Sequence, residues 1–274
     1  MLRNSLYLIA AIALAACGSH RERTLVLPPK FDDQVDTLRI NAQLKKRKPS
    51  GKGVLVFQPL REGETTEDLS YAADLKDAGY DIFIVEFPFT DNPLEQKSSV
   101  TLTNRVYDYI HAHEHLTQWR TIEHWIYYSV GLALPWALET ALNINPDSMV
   151  VYRATDQSPL ENRRLLMQND TLSTDENWVP VDEYLDVSEA WQTLVDNVEG
   201  ESYSGLFVFE GLTDRLWGEW HRYPYQESLN SFGFPITWVY QENDPSISGT
   251  FFRLLQQTQG AYDNRKVVIE ENQN

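Results

Sequence analysis

The chain has 274 residues, with 23 basic and 40 acidic side chains, a formal charge of −17, 42% hydrophobic residues and 12% aromatic ones. That is enough for one domain with its own core, or one domain with an inserted cap, and it is too apolar for a disordered chain. The acidity argues against nucleic acid as a partner and equally against attraction to anionic lipid headgroups through charge.

Residues 1–16 carry one positive charge, Arg3, ahead of an apolar stretch that ends in small residues. The stretch is short for crossing roughly 30 Å of hydrocarbon as a helix and reads as an export signal. Cys17, the only cysteine, follows Leu14-Ala15-Ala16 and precedes Gly18. This box resembles a bacterial lipoprotein signal. The resemblance implies cleavage before Cys17, lipid on its sulfur and, with Gly18 rather than an acid next, an outer-membrane lipoprotein facing the periplasm. Such a lipid anchors a protein without spanning the bilayer. No second cysteine is present to form a disulfide.

Residues 17–50 read as the lipidated N-terminus, a polar tether and an edge strand or two around Thr37–Gln43, with Lys45-Lys46-Arg47-Lys48 as a solvated turn. From Gly53 the pattern changes. Val54-Leu55-Val56-Phe57 is a continuous apolar run of the kind found in strands covered on both faces. A helix through Leu69–Ala78, stopped by Gly79, and a second apolar strand, Asp81–Phe87, complete a βαβ unit with parallel strands. Helix Val100–His115, strand His124–Tyr128, helix Val130–Asn143 and strand Met149–Tyr152 follow. Residues 155–203 lack strand pattern, are rich in Asp and Glu, and read as a cap or insertion. Strands are expected again at Leu206–Phe209, Ile236–Tyr240 and Lys266–Ile269, with a helix at Ser248–Thr258. The pattern predicts a three-layer α/β/α domain on a mostly parallel sheet, built from residues 51–154 and 204–274.

Tyr128-Ser129-Val130-Gly131 falls at a strand-to-helix junction. A serine held in such a turn has its hydroxyl above a helix N-terminus, where developing negative charge is favoured. Small residues are needed two positions to either side; Gly131 meets that requirement and Tyr127 does not. With Phe57-Gln58-Pro59-Leu60 before it and Phe234 through Pro245 after it, the order of parts resembles an α/β-hydrolase. That resemblance covers residues 53–270. It implies Ser129 as nucleophile, the amides of Leu60 and Val130 as an oxyanion hole, and Asp244 as the acid, with Asp214 as its rival.

The departures are as informative. The family places its base, a histidine, beyond the acid and the last strand, and here no histidine follows Asp244. The only histidine after Ser129 is His221, in the aromatic stretch Trp217–His221. A serine without a base is a poor nucleophile at neutral pH. The expectation is therefore a degenerate site in an accessory or binding protein, with an envelope protein or an acyl ligand as partner. The alternative is a serine esterase with His221 folded in as base. His111 and His115, one turn apart, form no complete metal set with His113, and no Gly-x-Gly-x-x-Gly follows a strand, so neither a metal nor another cofactor is expected.

Overall fold

In the computed structural model the described residues are 20–27, 38–45, 49–57, 70–85, 101–152, 160, 181–205, 207–209, 212–223, 232–241 and 263–270. Residues 1–19, with the predicted export signal and Cys17, lie outside them, as do the predicted helix Ser248–Thr258 and the site candidates Leu60 and Asp244.

Ten strands and five α-helices make up the described chain. The strands are β1 (His20–Leu27), β2 (Leu38–Lys45), β3 (Lys52–Phe57), β4 (Asp81–Val85), β5 (His124–Val130), β6 (Ser148–Tyr152), β7 (Val208–Phe209), β8 (Leu212–Thr213), β9 (Ile236–Gln241) and β10 (Arg265–Glu270). The helices are α1 (Ser70–Asp77), α2 (Leu102–Arg120), α3 (Leu134–Ile144), α4 (Val181–Glu199) and α5 (Asp214–His221). Eight strands form one sheet in the order β1-β2-β4-β3-β5-β6-β9-β10. β1 and β2 pair antiparallel with each other, and β2 pairs antiparallel with β4. All later pairings in this sheet are parallel.

The strand predicted at Leu206–Phe209 does not join this sheet. β7 pairs antiparallel with β8 in a separate two-stranded hairpin. A two-residue strand exposes too few apolar positions on either face to occupy a place inside a sheet covered on both sides.

The apolar runs of the central strands alternate between two cores. Leu55, Phe57, Phe83, Val85, Tyr127 and Val151 are buried on the face that carries α2 and α3. Their neighbours Val54, Val56, Ile82, Ile84, Tyr128 and Val150 are buried on the opposite face, with Ala72 of α1. This alternation within an unbroken apolar run is what a strand between two helical layers requires.

Three devices set the frame around the strand ends. α2 begins at Thr101, whose hydroxyl accepts from the Asn104 amide at 3.1 Å, and stops at Thr121 with φ 52°. α3 stops at Asn145 with φ 57°, and Gly79, with φ 90°, ends α1 where the sequence predicted. Where β4 begins, the buried Asp81 receives the Nε and Nη2 of Arg120 at 3.0 and 2.8 Å, and its other oxygen accepts from the Lys45 amide at 2.7 Å. One carboxylate thereby ties β2 and the end of α2 to the first residue of β4.

Candidate active site

β5 is the central strand, flanked by β3 and β6, and it delivers Ser129 to the registers of Phe57 and Val151. Both neighbours belong to the core beneath α2 and α3, as do Trp125 and Tyr127 of β5 itself. Side chains two apart on a strand share a face, so Ser129 points into that core rather than up from the sheet's rim. It is fully buried, and its Oγ has no hydrogen-bond partner among the described residues.

The strand does not stop at Tyr128, as the sequence pattern predicts, but continues through Val130, which is extended (φ −110°, ψ 125°). The backbone reverses at Gly131, with φ 49°, and a short 3₁₀ turn over Gly131–Ala133 leads into α3. Positive φ costs glycine little and other residues more, so the chain bends where glycine stands. The small residues that let strand and helix meet are Ser129 and Ala133, two positions either side of Gly131, and both are fully buried. The junction is thus Ser129-Val130-Gly131-Leu132-Ala133, two residues later than the sequence reading placed it. A signal for this was present: Tyr127 is a poor fit two positions before a bend, whereas Ser129 is a good one.

Of the other candidates, the described ones, Val130, Asp214 and His221, make no hydrogen bond to the Ser129 hydroxyl. Val130, expected to supply an oxyanion amide, is still within the strand and paired with Tyr152 of β6. Asp214 is fully buried at the first turn of α5. Its Oδ1 accepts from the amides of Gly205 and Arg215 at 2.9 and 2.8 Å. Its Oδ2 accepts from the Ser204 amide at 3.0 Å, the Ser204 hydroxyl at 3.2 Å and Asn197 Nδ2 at 3.2 Å. None of these donors is an imidazole.

His221 ends the same helix, seven residues from Asp214, which is roughly 10 Å along a helix axis. Its Nδ1 is buried without a partner among the described residues. Asp214 also precedes β9, the strand next to β6 in the sheet. The expected order of strand then acid is therefore followed by Asp244, three residues beyond the end of β9 at Gln241.

Of the three α2 histidines, His113 turns inward. Its Nδ1 lies 3.1 Å from the Tyr127 hydroxyl and its ring 4.6 Å from that of Trp125. Burial lowers its pKa to about 4, against a smaller opposing effect of Glu114, and burial pushes the Tyr127 hydroxyl well above its ordinary value. Among the described residues no three His, Cys, Asp or Glu side chains are grouped to hold a metal.

A groove of about 530 Å³ opens between α2, α3 and α5, lined by Leu102, Val106, Tyr107, Glu139, Glu219 and Tyr223 among others. Two of its carboxylates are occupied in holding elements together. Glu139 accepts from the Tyr223 hydroxyl at 2.8 Å, and Glu219 accepts from the Leu102 amide at 2.7 Å.

No family model matches the chain, and no curated protein does. Solved structures do match its fold. A hypothetical protein from Pseudomonas aeruginosa matches at 12% identity over 93% of this chain and 87% of that one, with a TM-score of 0.57. A highly thermostable carboxyl esterase from Bacillus coagulans matches at 11% identity over 93% and 90% of the two chains, with a TM-score of 0.57. An alpha-beta serine hydrolase homologue from Coxiella burnetii matches at 10% identity over 91% and 87%, with a TM-score of 0.52. At such identities the likeness concerns the fold: the chain has an α/β-hydrolase-like domain on a mostly parallel sheet.

Proposed function

We propose that this protein is an envelope lipoprotein whose α/β-hydrolase-like domain binds a partner or an acyl ligand without turning it over. The observation that carries this reading is the bend after β5. The residue in the strained strand-to-helix turn is Gly131, which has no side chain to act as nucleophile. The hydroxyl of Ser129, two residues before it, is buried in the strand with no hydrogen-bond partner among the described residues. A hydroxyl attacks an ester only when a base takes its proton as the bond forms, and loss of that partner costs several powers of ten in rate.

The second reading, a serine ester hydrolase using Ser129, is supported by the likeness of fold to a carboxyl esterase. It requires Ser129 to leave its register between Phe57 and Val151, and His221 to reach it. Asp244, beyond β9, would be the acid in that case, and Asp214 would keep the structural role its five donors suggest.

The two readings separate with a fluorophosphonate probe on the purified protein, beside Ser129→Ala. We expect no serine-dependent labelling and no turnover of short acyl esters. Labelling that Ser129→Ala abolishes would refute the binding-protein reading and establish the hydrolase. The anchor has its own test. Cys17→Ser is expected to lose both lipidation and membrane retention, and a variant that still fractionates with the outer membrane would remove Cys17 from the account.

A further inference from the structure

The outer strands of the main sheet, β1 and β10, each have one neighbour, and each leaves a row of main-chain donors and acceptors with no strand to bond among the described residues. They differ in what guards that row. β1 carries Arg21, Glu22, Arg23 and Thr24 exposed in succession, the arginines on one face and the glutamate on the other. β10 carries Val267-Val268-Ile269 between Lys266 and Glu270. Val267 packs against the core beneath α2 and α3, Val268 packs against the core with α1, and Ile269 is left 50% exposed.

β10 is held rigidly from within. Asn264 Nδ2 donates to the carbonyls of Gly233 and Phe234 at 3.0 and 3.3 Å, and the Arg265 guanidinium donates to those of Phe232 and Phe234 at 2.8 and 2.9 Å. The Ile236 amide donates to the Asn264 carbonyl at 2.9 Å, and Ile236 is the register partner of Arg265. In a parallel pair such bonds fall on alternate residues. Lys266 and Val268 therefore bond inward to β9, while Val267 and Ile269 turn their N–H and C=O groups to the open edge.

We propose that this edge pairs with itself: two copies of the chain join antiparallel through β10, about a two-fold axis at Val268. Val267 of each copy exchanges main-chain hydrogen bonds with Ile269 of the other, the two residues whose groups face outward. Val268 stands opposite Val268, and Lys266 stands opposite Glu270 on both sides of the axis. Charge selects this register, since opposite charges directly across a pair attract and like ones repel. A two-fold at Val267 would set Lys266 opposite Val268, and one at Ile269 would set Glu270 opposite Val268. β1 offers no equivalent, because residues directly opposite share a face and its arginines and glutamate do not. The axis stands perpendicular to the sheet, so the two eight-stranded sheets run on as one and each helical layer continues across the join. Ile269 is covered, and the two Gly131 bends open at opposite ends. One six-residue strand from each copy is a small contact beside the roughly 1,200–2,000 Å² of stable interfaces, so the pairing is reversible.

The test uses the full chain with Cys17→Ser, which removes its only thiol, in mild detergent. Sedimentation equilibrium from micromolar to millimolar chain is expected to show monomer passing to dimer. Lys266→Glu and Glu270→Lys each set like charges across the axis twice and should raise the dissociation constant about tenfold or more. Mixed together, these two variants face each other with opposite charges and should recover the parent affinity as a heterodimer, which a fold damaged by either substitution would not do. Val268→Cys, about 4.5 Å from its counterpart, should form a disulfide-linked dimer under mild oxidation. Lys266→Cys, about 13 Å from its own, should not. A chain still monomeric at millimolar concentration, charge variants that associate like the parent, a mixture no tighter than its parts, or faster cross-linking through Lys266→Cys would each overturn the pairing.

Discussion

Asp214→Ala tests whether the Asp214 carboxylate is structural or catalytic. Alanine leaves three main-chain donors without an acceptor: the amides of Ser204, Gly205 and Arg215. The Ser204 hydroxyl and the Asn197 amide, being side chains, can turn to water. An unsatisfied buried donor costs about 1–3 kcal/mol, and the Arg215 amide, in an open first helical turn, falls at the low end. The expected loss is about 3–6 kcal/mol, a large share of the roughly 5–15 kcal/mol that stabilises a typical domain. It should appear in urea unfolding followed by tryptophan fluorescence as a lower midpoint with an unchanged slope. Asp214→Asn keeps one acceptor oxygen but sets an NH₂ group against donors, so it should lose about half as much. An Asp214→Asn protein as stable as the parent, with some measured ester hydrolysis abolished, would refute this reasoning and restore Asp214 as the acid.

Three other outcomes follow from the core. Arg120→Leu leaves the Asp81 Oδ2 buried without its two guanidinium donors and should cost about 3–5 kcal/mol in chemical unfolding; a loss below 1 kcal/mol, on the scale of exposed ion pairs, would show the pair to be dispensable. Gly53→Ala would bring a methyl group to 2.8 Å from the Trp125 ring and 2.9 Å from Ile122 Cδ1. Trp125 is held by its Nε1 on Thr117 at 2.9 Å, so thermal unfolding should show a loss of about 1–3 kcal/mol. His113 makes stability fall with acid. Its pKa is about 4 in the fold against 6.5 when unfolded, so between these values the unfolded chain takes up a proton that the folded one refuses. The penalty is absent above pH 6.5, grows as the pH falls to about 4, and levels off near 3 kcal/mol below that. His113→Gln should flatten the urea midpoint across this window, and an unchanged pH dependence would assign the acid sensitivity elsewhere.

Much of the parallel sheet was legible because its strands are covered on both faces. Such strands read as unbroken apolar runs, and Val54–Phe57, Ile82–Val85 and Met149–Tyr152 announce themselves without knowledge of their partners. What the pattern does not carry is pairing. Val208-Phe209 is as apolar as a core strand, yet it pairs with Leu212-Thr213 in a hairpin of its own. Asp214, the first residue of α5 behind its cap Thr213, looks like a catalytic acid only while β7 is counted as a strand of the main sheet. That no strand of the main sheet leads into Asp214 is known only once the strand order is.

The bend after β5 was misplaced for a different reason. Apolar periodicity cannot locate the end of a buried strand, because a strand and the first turn of a buried helix are apolar alike: Tyr127 to Ala133 contains no charge and only one small polar side chain. The backbone decides, and it is governed by which residue adopts positive φ most cheaply. Taking Ser129 as the bend makes Tyr127 an anomaly and asks a serine to hold the strained conformation. Taking Gly131 removes both difficulties at once, with Ser129 and Ala133 filling the two close contacts. On the proposed reading, Ser129 is small because α3 packs onto β5 at that point, a steric requirement that any small residue would meet. This also fits a hydroxyl left buried without a partner among the described residues. A serine kept for its chemistry needs a proton acceptor, whereas one kept for its size needs none.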